Sequence, residues 1–184
     1  MARLPLLSDV DLGLAHDPHL NANYGVFRTL SHSPGAAAAF WGPVRYALHE
    51  SAVDALVREI AILTVAYVTR TAYAWSHHIR VSRNAGIPDS DIRALVDYLE
   101  ARPSALDEKS KAVADAAREM TETVRLSDET FTRLEAVFDA ARLADVIFII
   151  GNYNAVMRVL NGLQVDTEQD FLGYLEEFPL PPAD

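Results

Sequence analysis

Several side chains that can carry a proton are concentrated within twenty consecutive residues of this sequence. Glu59 begins the stretch, His78 follows nineteen positions later, and Tyr73, Trp75 and His77 come just before that histidine. A neutral imidazole can give and take a proton near pH ~7, and a carboxylate partner fixes its tautomer. The pattern therefore indicates either acid–base chemistry at a histidine supported by Glu59 or a buried structural pair of the same two groups.

His77 and His78 are neighbours, so on a helix their side chains point about 100° apart. We expect only one of them to face a small site. His78 shares its helix face with Trp75, whereas His77 shares its face with Tyr73. Glu59 becomes the partner of a histidine if the two helices that carry them pack antiparallel.

Three further residues are candidates for contact with a ligand. Tyr73 and Trp75 can line a pocket, although aromatic residues at helical spacing more often fill the core. Asn154 interrupts an apolar stripe, so it either contacts a polar ligand or ties the last helix to loop carbonyls. The adjacent histidines lack the i, i+4 spacing of a helical zinc motif, and we predict neither a metal nor a cofactor.

The segment that carries Glu59 predicts a buried helix. Nearly every residue from 60 to 68 is apolar, so this helix has no side suited to water and must be surrounded by other elements. The polar residues 69–71 interrupt it. A second helix follows and ends near Gly86, a residue type that accepts the left-handed geometry of a helix C-terminus. The two helices predict a central buried hairpin.

The remainder of the chain predicts an all-α protein. Apolar residues recur at helical spacing over 36–48, 106–124 and 142–162, with a kink expected at Pro43. Ser127 is a helix start whose buried face is expected to contain Phe131, Leu134 and Phe138. No alternating run predicts a strand.

The length of 184 residues fits one domain with extensions at both ends. Residues 1–23 are polar and proline-containing and predict an arm that crosses the surface. Residues 24–163 form the helical domain. Residues 164–184 predict a tail that packs on the body or on a neighbouring subunit.

Composition excludes several functions. A formal net charge of -10 and the lack of basic clusters argue against nucleic-acid binding. The complete lack of cysteine removes disulfides and every thiol-based mechanism. The first residues show no signal peptide, and no apolar run is long enough to predict a membrane span. We therefore expect a cytoplasmic protein that acts on a small molecule.

Five segments together resemble the carboxymuconolactone decarboxylase family, which also includes the alkylhydroperoxidase D branch. They are LSHSP at 30–34, REIAIL at 58–63, AYAWSHH at 72–78, AGIPDSDI at 85–92 and YNAVMRVLNGL at 153–163. The resemblance covers about residues 24–163. It implies an alkylhydroperoxidase D-like helical bundle around a central helical hairpin. It also implies a homo-oligomer, as a dimer, trimer or hexamer, with pockets near the subunit contacts.

Departures from the family pattern restrict the activity. The peroxidase branch has two cysteines before the histidine, and the matching positions here are Thr71 and Ala74. Reduction of peroxide by a dithiol is therefore chemically excluded. The decarboxylase-like branch commonly has a glutamate at the position of Ala74, so one expected acid is also missing.

The resemblance implies a cofactor-free lyase-type or proton-transfer enzyme for a small cyclic organic acid or lactone. His78 would move the proton, Glu59 would orient it, and Tyr73 would donate a hydrogen bond to a developing enolate. Trp75, His77 and Asn154 would contact the substrate. The alternative is a non-catalytic binding or assembly module that keeps the fold.

Overall fold

The computed structural model describes residues 2–8 and 17–182, and every regular element in this part of the chain is helical. The prediction of an all-α fold is confirmed. The elements are α1 (Gly25–Leu30), α2 (Pro34–Arg45), a π-helical turn (Tyr46–Glu50), α3 (Ala55–Val68), α4 (Ala72–Asn84), α5 (Asp89–Leu99), α6 (Glu108–Thr123), α7 (Asp128–Glu135), α8 (Ala140–Leu163), a 3₁₀ turn (Gln169–Phe171) and α9 (Leu172–Glu177).

Helix α3 is the centre of the molecule, as its composition predicts. It packs against α4, α6 and α8, and all residues from 59 to 67 are buried. Its first turn is capped by Asp54, whose carboxylate accepts a hydrogen bond from the Val57 amide at 2.9 Å. The preceding π-helical turn ends at Glu50, and Ser51 follows it, so the residue that caps the start of α3 is Asp54.

Helices α3 and α4 form the predicted hairpin through a very short connection. The Thr71 amide donates to the Ala66 carbonyl at 2.9 Å, and Arg70 adopts a left-handed conformation with φ 52°. Helix α4 ends at Asn84, and Gly86 follows with φ 79°. That conformation is favourable for glycine because it has no Cβ. The hairpin thus brings residues at the start of α3 beside residues near the end of α4.

Pro43 lies inside α2 without ending it. The Tyr46 amide donates to both the Gly42 and Pro43 carbonyls, and the chain then widens into the π-helical turn. Wider turns of this kind relieve the strain that proline places on a helical ladder. Val44 and Leu48, on either side of this change, both line the cavity described below.

Helix α8 is apolar on most of its sides. By length and composition its 24 residues would suffice to cross a membrane, but 56% of the relevant window is buried inside the protein. It packs against α3 and α6, which is the environment of a core helix.

The described parts of both end segments lie on the body, whereas residue 1 and residues 9–16 of the predicted arm at 1–23 lie outside the described residues. The Arg3 amide donates to the Leu163 carbonyl at 2.8 Å, and the Leu7 amide donates to the Arg28 carbonyl at 3.1 Å. At the other end α9 packs on α4, between the buried rings of Phe171 and Phe178. In this chain the tail therefore packs on its own helical domain.

The prediction of the buried face of α7 is only partly correct. Leu134 is buried, but Phe131 is 39% exposed. The helix is only eight residues long, from Asp128 to Glu135, so one short apolar edge reaches the core.

Candidate active site

The central hairpin brings Glu59 and His78 into direct contact. The Oε2 atom of Glu59 on α3 lies 2.7 Å from Nδ1 of His78 on α4. Glu59 is 1% exposed and His78 is 7% exposed. The antiparallel packing that the sequence made a condition of this contact is therefore present.

Arg58 holds the second oxygen of the same carboxylate. Its Nε donates to Oε1 of Glu59 at 2.8 Å, and its Nη1 donates to the Leu48 carbonyl at 3.3 Å. Burial opposes ionisation of Glu59, but the His78 and Arg58 contacts outweigh it and hold the pKa of this carboxyl below its usual value. Glu59 is thus a buried carboxylate whose two oxygens each have a donor.

The contact with Glu59 fixes how the His78 ring is presented. Because an ionised carboxylate only accepts, Nδ1 of His78 carries the hydrogen of this bond. The other nitrogen, Nε2, lies at the tip of the ring and has no hydrogen-bond partner among the described residues. The side chain lines a cavity, so Nε2 is the atom that a ligand in this cavity can reach.

The cavity has a volume of about 120 Å³ and opens to the surface. It lies between α1, α2, α4 and α8, and most of its wall is apolar. The lining residues are Tyr24, Val26, Phe27, Phe40, Trp41, Val44, Leu48, Tyr73, Ala74, His77, His78, Arg80, Val81, Tyr153, Val156 and Leu160. Such a cavity suits a small, largely apolar molecule with few polar groups.

Tyr153 on α8 supplies a hydroxyl that the sequence did not identify as a site group. Its ring meets the His78 ring edge to face at 5.1 Å, and its hydroxyl is buried without a hydrogen-bond partner in the part of the chain that the structure describes. Burial, with the charge of Glu59, raises the pKa of Tyr153 well above its usual value, so the hydroxyl stays protonated. The only signal in the sequence is a polar atom within the apolar stripe of the last helix.

Tyr73 lines the cavity but its hydroxyl is already bonded. It donates to Oε1 of Glu168 at 3.1 Å and accepts from the Val26 amide at 3.3 Å. Burial raises the pKa of Tyr73, so its proton stays on the hydroxyl that bonds Glu168. This corrects the expectation that Tyr73 donates a hydrogen bond to an enolate, because its one hydrogen is used.

His77 also lines the cavity, contrary to the expectation that only one histidine would. The cavity extends across α4 far enough to be lined by the rings of both His77 and His78. The Nε2 atom of His77 lies 2.7 Å from Oε2 of Glu168, and the ring stacks on Phe171 at 3.6 Å. Burial, with the nearby His78 and Arg80, lowers the pKa of His77 to about 2, so this contact is a hydrogen bond from a neutral ring rather than an ion pair.

Trp75 and Asn154 lie away from the cavity, which corrects the expectation that they contact a ligand there. Trp75 is fully buried, and its Nε1 donates to the Phe178 carbonyl at 2.7 Å. Asn154 donates to the Thr121 hydroxyl at 3.0 Å and accepts from Arg158 at 2.8 Å. Both side chains therefore join elements of the fold.

The two positions that match the family's cysteines are in different surroundings. Ala74 lines the cavity one helical turn before His78, so a methyl group stands where the family has a thiol or an acid. Thr71 is buried at the hairpin turn, where its hydroxyl contacts Thr69 at 2.8 Å and Asn161 at 2.9 Å.

The described residues contain no group of three or more His, Asp or Glu side chains arranged to hold a metal ion. What the site offers is an imidazole nitrogen at an apolar cavity, with the buried hydroxyl of Tyr153, another lining residue. These groups can accept a proton and donate a hydrogen bond.

Comparison with protein families identifies the same relationship that the sequence motifs indicate. Residues 34–119 match the model of the Carboxymuconolactone decarboxylase family. This segment runs from α2 into α6 and contains Glu59, Ala74 and His78, but it excludes α8 and therefore Tyr153. A comparison with curated proteins gives no match.

Solved structures share the fold at low sequence identity. An alkylhydroperoxidase AhpD core from Ralstonia eutropha, an uncharacterized peroxidase-related protein, has TM-score 0.70 at 19% identity, over 80% of this chain and 78% of that one. A peroxidase-related protein from Silicibacter has TM-score 0.70 at 16% identity, over 92% and 95%. A cysteine-to-alanine variant of the debrominase Bmp8, in complex with 2,3,4-tribromopyrrole, has TM-score 0.71 at 16% identity, over 83% and 81%. The predicted alkylhydroperoxidase D-like fold is confirmed.

Proposed function

We propose that this chain, an alkylhydroperoxidase D-like helical protein that matches the Carboxymuconolactone decarboxylase family over residues 34–119, is a cofactor-free acid–base enzyme. Its substrate would be a small, mostly apolar cyclic organic acid or lactone, and its reaction a decarboxylation or a proton transfer. The observation that carries this proposal is the buried Glu59–His78 pair with the free Nε2 of His78 at an open cavity.

His78 transfers the proton in this proposal. In a proton transfer, its Nε2 takes a proton from the carbon beside a carbonyl, and the electron pair of that bond moves into the carbonyl to form an enolate. In a decarboxylation, the bond to the carboxylate breaks, carbon dioxide leaves, and the electron pair of that bond moves into a neighbouring carbonyl to form an enolate. A protonated Nε2 then gives its proton to the same carbon and is protonated again from solvent.

Glu59 positions the ring and balances its charge. When Nε2 holds a proton as well, the imidazolium lies 2.7 Å from an ionised carboxylate. Arg58 keeps that carboxylate in place and ionised through the bond to its other oxygen. The ring therefore presents one nitrogen to the cavity whichever protonation state it holds.

In this proposal Tyr153 takes the role that the family resemblance implies for Tyr73. Its hydroxyl is buried and has no hydrogen-bond partner among the described residues, so its hydrogen remains for a ligand oxygen that reaches it. A donor in place before reaction stabilises negative charge that develops on a carbonyl oxygen.

Thiol chemistry has no place in the proposal because the chain contains no cysteine. Thiol-dependent peroxide reduction is therefore not proposed for this protein, although similar structures have peroxidase-related names. The brominated pyrrole in the debrominase structure supports a narrower point, that this fold can hold a single small ring. A cytoplasmic location and a homo-oligomeric assembly without nucleic acid or membrane remain parts of the proposal.

A non-catalytic binding module is the second candidate. The methyl group of Ala74, in place of the family's thiol or acid, favours it because the cavity wall has lost one reactive group. In that case the cavity would bind a ligand and return it unchanged.

The test begins with a thermal-shift screen of small cyclic acids and lactones, since a ligand raises stability by mass action. Each ligand is then incubated with the wild type and followed by NMR for loss of carbon dioxide or exchange of a carbon-bound hydrogen. We expect conversion that His78→Gln abolishes while binding persists. Binding without conversion by the wild type supports the module, and full conversion by His78→Gln contradicts the enzyme.

A further inference from the structure

We infer that Arg80 is the residue that binds a carboxylate at the edge of the cavity, and that it selects anionic ligands with a single-ring apolar body. This inference rests on the proposed function because it concerns the same cavity. It adds a specificity-determining residue on a different flank of α4 from His78.

The charges of the lining residues support an anionic ligand. Among the described residues that line the cavity, Arg80 is the one with a permanent positive charge, and none is an aspartate or a glutamate. The chain as a whole carries a formal net charge of -10, so its general field repels anions. An anion therefore needs a local cation in order to be held here.

Arg80 is available for this role, unlike other arginines of the hairpin. No described carboxylate forms an ion pair with it. Arg83, one turn later, contacts both Asp89 and Glu177, and Arg58 contacts Glu59. Arg80 is the exception on a helix pair whose other arginines in this region have acidic partners.

The guanidinium of Arg80 is nevertheless held in place. It lies over the Phe171 ring, 4.0 Å from the ring centroid, and its Nη2 donates to the Tyr24 hydroxyl. Stacking uses the face of the guanidinium and leaves its N–H groups for other acceptors. An arginine with several unused donors in a fixed plane is suited to a carboxylate, which it can bind through two parallel hydrogen bonds.

The acid on this flank is already satisfied by other donors. Glu168 accepts hydrogen bonds from the Gly25 amide at 2.7 Å, His77 at 2.7 Å and Tyr73 at 3.1 Å. With these three donors it does not need Arg80 as a partner, and the structure shows no contact between them.

The cavity sets the size of the ligand and its orientation. An apolar protein cavity of about 150 Å³ holds one benzene molecule, so about 120 Å³ together with the open edge suits a single ring. A carboxylate on Arg80 directs the ring across α4 toward His78. The anchoring carboxylate is therefore retained, and the reacting carbon is on the far side of the ring.

Isothermal titration with benzoate and with the neutral isostere benzamide tests the inference without any need for the natural substrate. We expect the wild type to bind benzoate at least about tenfold more tightly than benzamide, because one charge-assisted pair contributes that much or more. Arg80→Gln should weaken benzoate about tenfold or more and leave benzamide unchanged. Arg80→Lys should restore part of the preference, since it keeps the charge and loses the planar pair of donors.

Arg125→Gln is the matched control, because it removes the same charge from an exposed loop that does not line the cavity. It should bind benzoate as the wild type does. No preference for benzoate in the wild type, no benzoate binding at all, or an unchanged preference in Arg80→Gln would each overturn the inference. These results are independent of turnover, so failure to find any catalysis would count against the proposed enzyme alone.

Discussion

Two neighbouring histidines of α4 each contact a carboxylate, but they do so through different ring nitrogens. His78 lies 2.7 Å from Glu59, and His77 lies 2.7 Å from Glu168. The inner pair, Glu59 and His78, uses Nδ1 of the imidazole, so Nε2 at the tip of the ring has no partner among the described residues. The outer pair, Glu168 and His77, uses Nε2, so the tip of that ring is occupied. The nitrogen that the carboxylate takes decides whether a histidine can act on a ligand.

The two carboxylates differ in the same way. Glu59 comes from the central helix, has a side chain 1% exposed and is held by Arg58. Glu168 comes from the segment after α8, has a side chain 28% exposed and collects three donors from α1 and α4. The inner pair thus lies in the core and leaves one ring nitrogen for the proposed chemistry, whereas the outer pair fastens the tail to the body.

The strongest test of this contrast replaces each histidine by glutamine. We expect His78→Gln to lower turnover of a substrate from the screen by about a thousandfold, within the usual range for loss of a general acid or base. His77→Gln should retain most of the turnover, because its tip nitrogen already bonds Glu168. Steady-state rates of the two variants decide it, and equal losses in both would end the distinction.

The next test replaces each carboxylate by its amide. Glu59→Gln leaves the half-buried Arg58 without its ion-pair partner at a position that is itself 1% exposed, and the loss of a buried charge pair costs about 3–5 kcal/mol of unfolding free energy. Glu168→Gln should cost roughly 1 kcal/mol, because its site is partly exposed and an amide keeps some of the hydrogen bonds. Urea unfolding followed by circular dichroism measures both values. A cost at Glu168 as large as that at Glu59 would show that both pairs are core structure.

A third test compares the two tyrosines beside the two histidines. Tyr153→Phe removes a buried hydroxyl that has no partner, so we expect unchanged or slightly higher stability and a rate lower by about tenfold. Tyr73→Phe removes a hydroxyl bonded to Glu168 and Val26, so we expect lower stability, by roughly 1 kcal/mol. Melting temperature and turnover, measured together, separate the two roles. Lower stability in Tyr153→Phe would argue that its hydroxyl has a structural partner.

The smallest effect concerns acid stability. Burial lowers the pKa of His77 from 6.5 to about 2, so the unfolded chain binds a proton here that the folded chain does not. Stability from this group is complete above pH 6.5 and declines as the pH falls, by about 1 kcal/mol between pH 6.5 and 5.5. In His77→Gln, the unfolding free energy measured by urea titration should depend less on pH between 6.5 and about 5.5. An unchanged slope would mean that Glu168 keeps His77 protonated in the folded protein.

Glu59 acts at lower pH through the same linkage. Its pKa is held below the usual 4.5, so its contribution is complete above that value and is lost as the pH falls further. The loss of stability below pH 4.5 should therefore persist in His77→Gln and become smaller in Glu59→Gln, where other carboxyls with lowered pKa values, such as Asp54 and Asp89, still contribute.

The sequence was sufficient for the hairpin because its signals are local. The uninterrupted apolar run over 60–68 can exist only inside the protein, and Gly86 marks the end of the partner helix. Those two facts place Glu59 opposite His78. The start of α3 was less predictable, since Ser51 and Asp54 are both good caps and only packing selects Asp54.

The rest of the site depends on contacts between segments far apart in the chain. Tyr153 reaches His78 across 75 positions of sequence, and nothing in the stripe of α8 shows which of its members faces a cavity. The family resemblance predicts Tyr73 and Trp75 as site residues. Their hydroxyl and indole groups bond Glu168 and Phe178, both in the tail, which periodicity cannot reveal.

The hydrogen bond from the Trp75 indole to the Phe178 carbonyl limits where the chain can be truncated for expression. A protein truncated to the family-matched residues 34–119 would lack α8, which forms one wall of the cavity. A cut after Leu163 would keep that wall but strip Phe171 from the faces of His77 and Arg80. Affinity tags and fusion partners are therefore best joined beyond Phe178, with the whole tail retained.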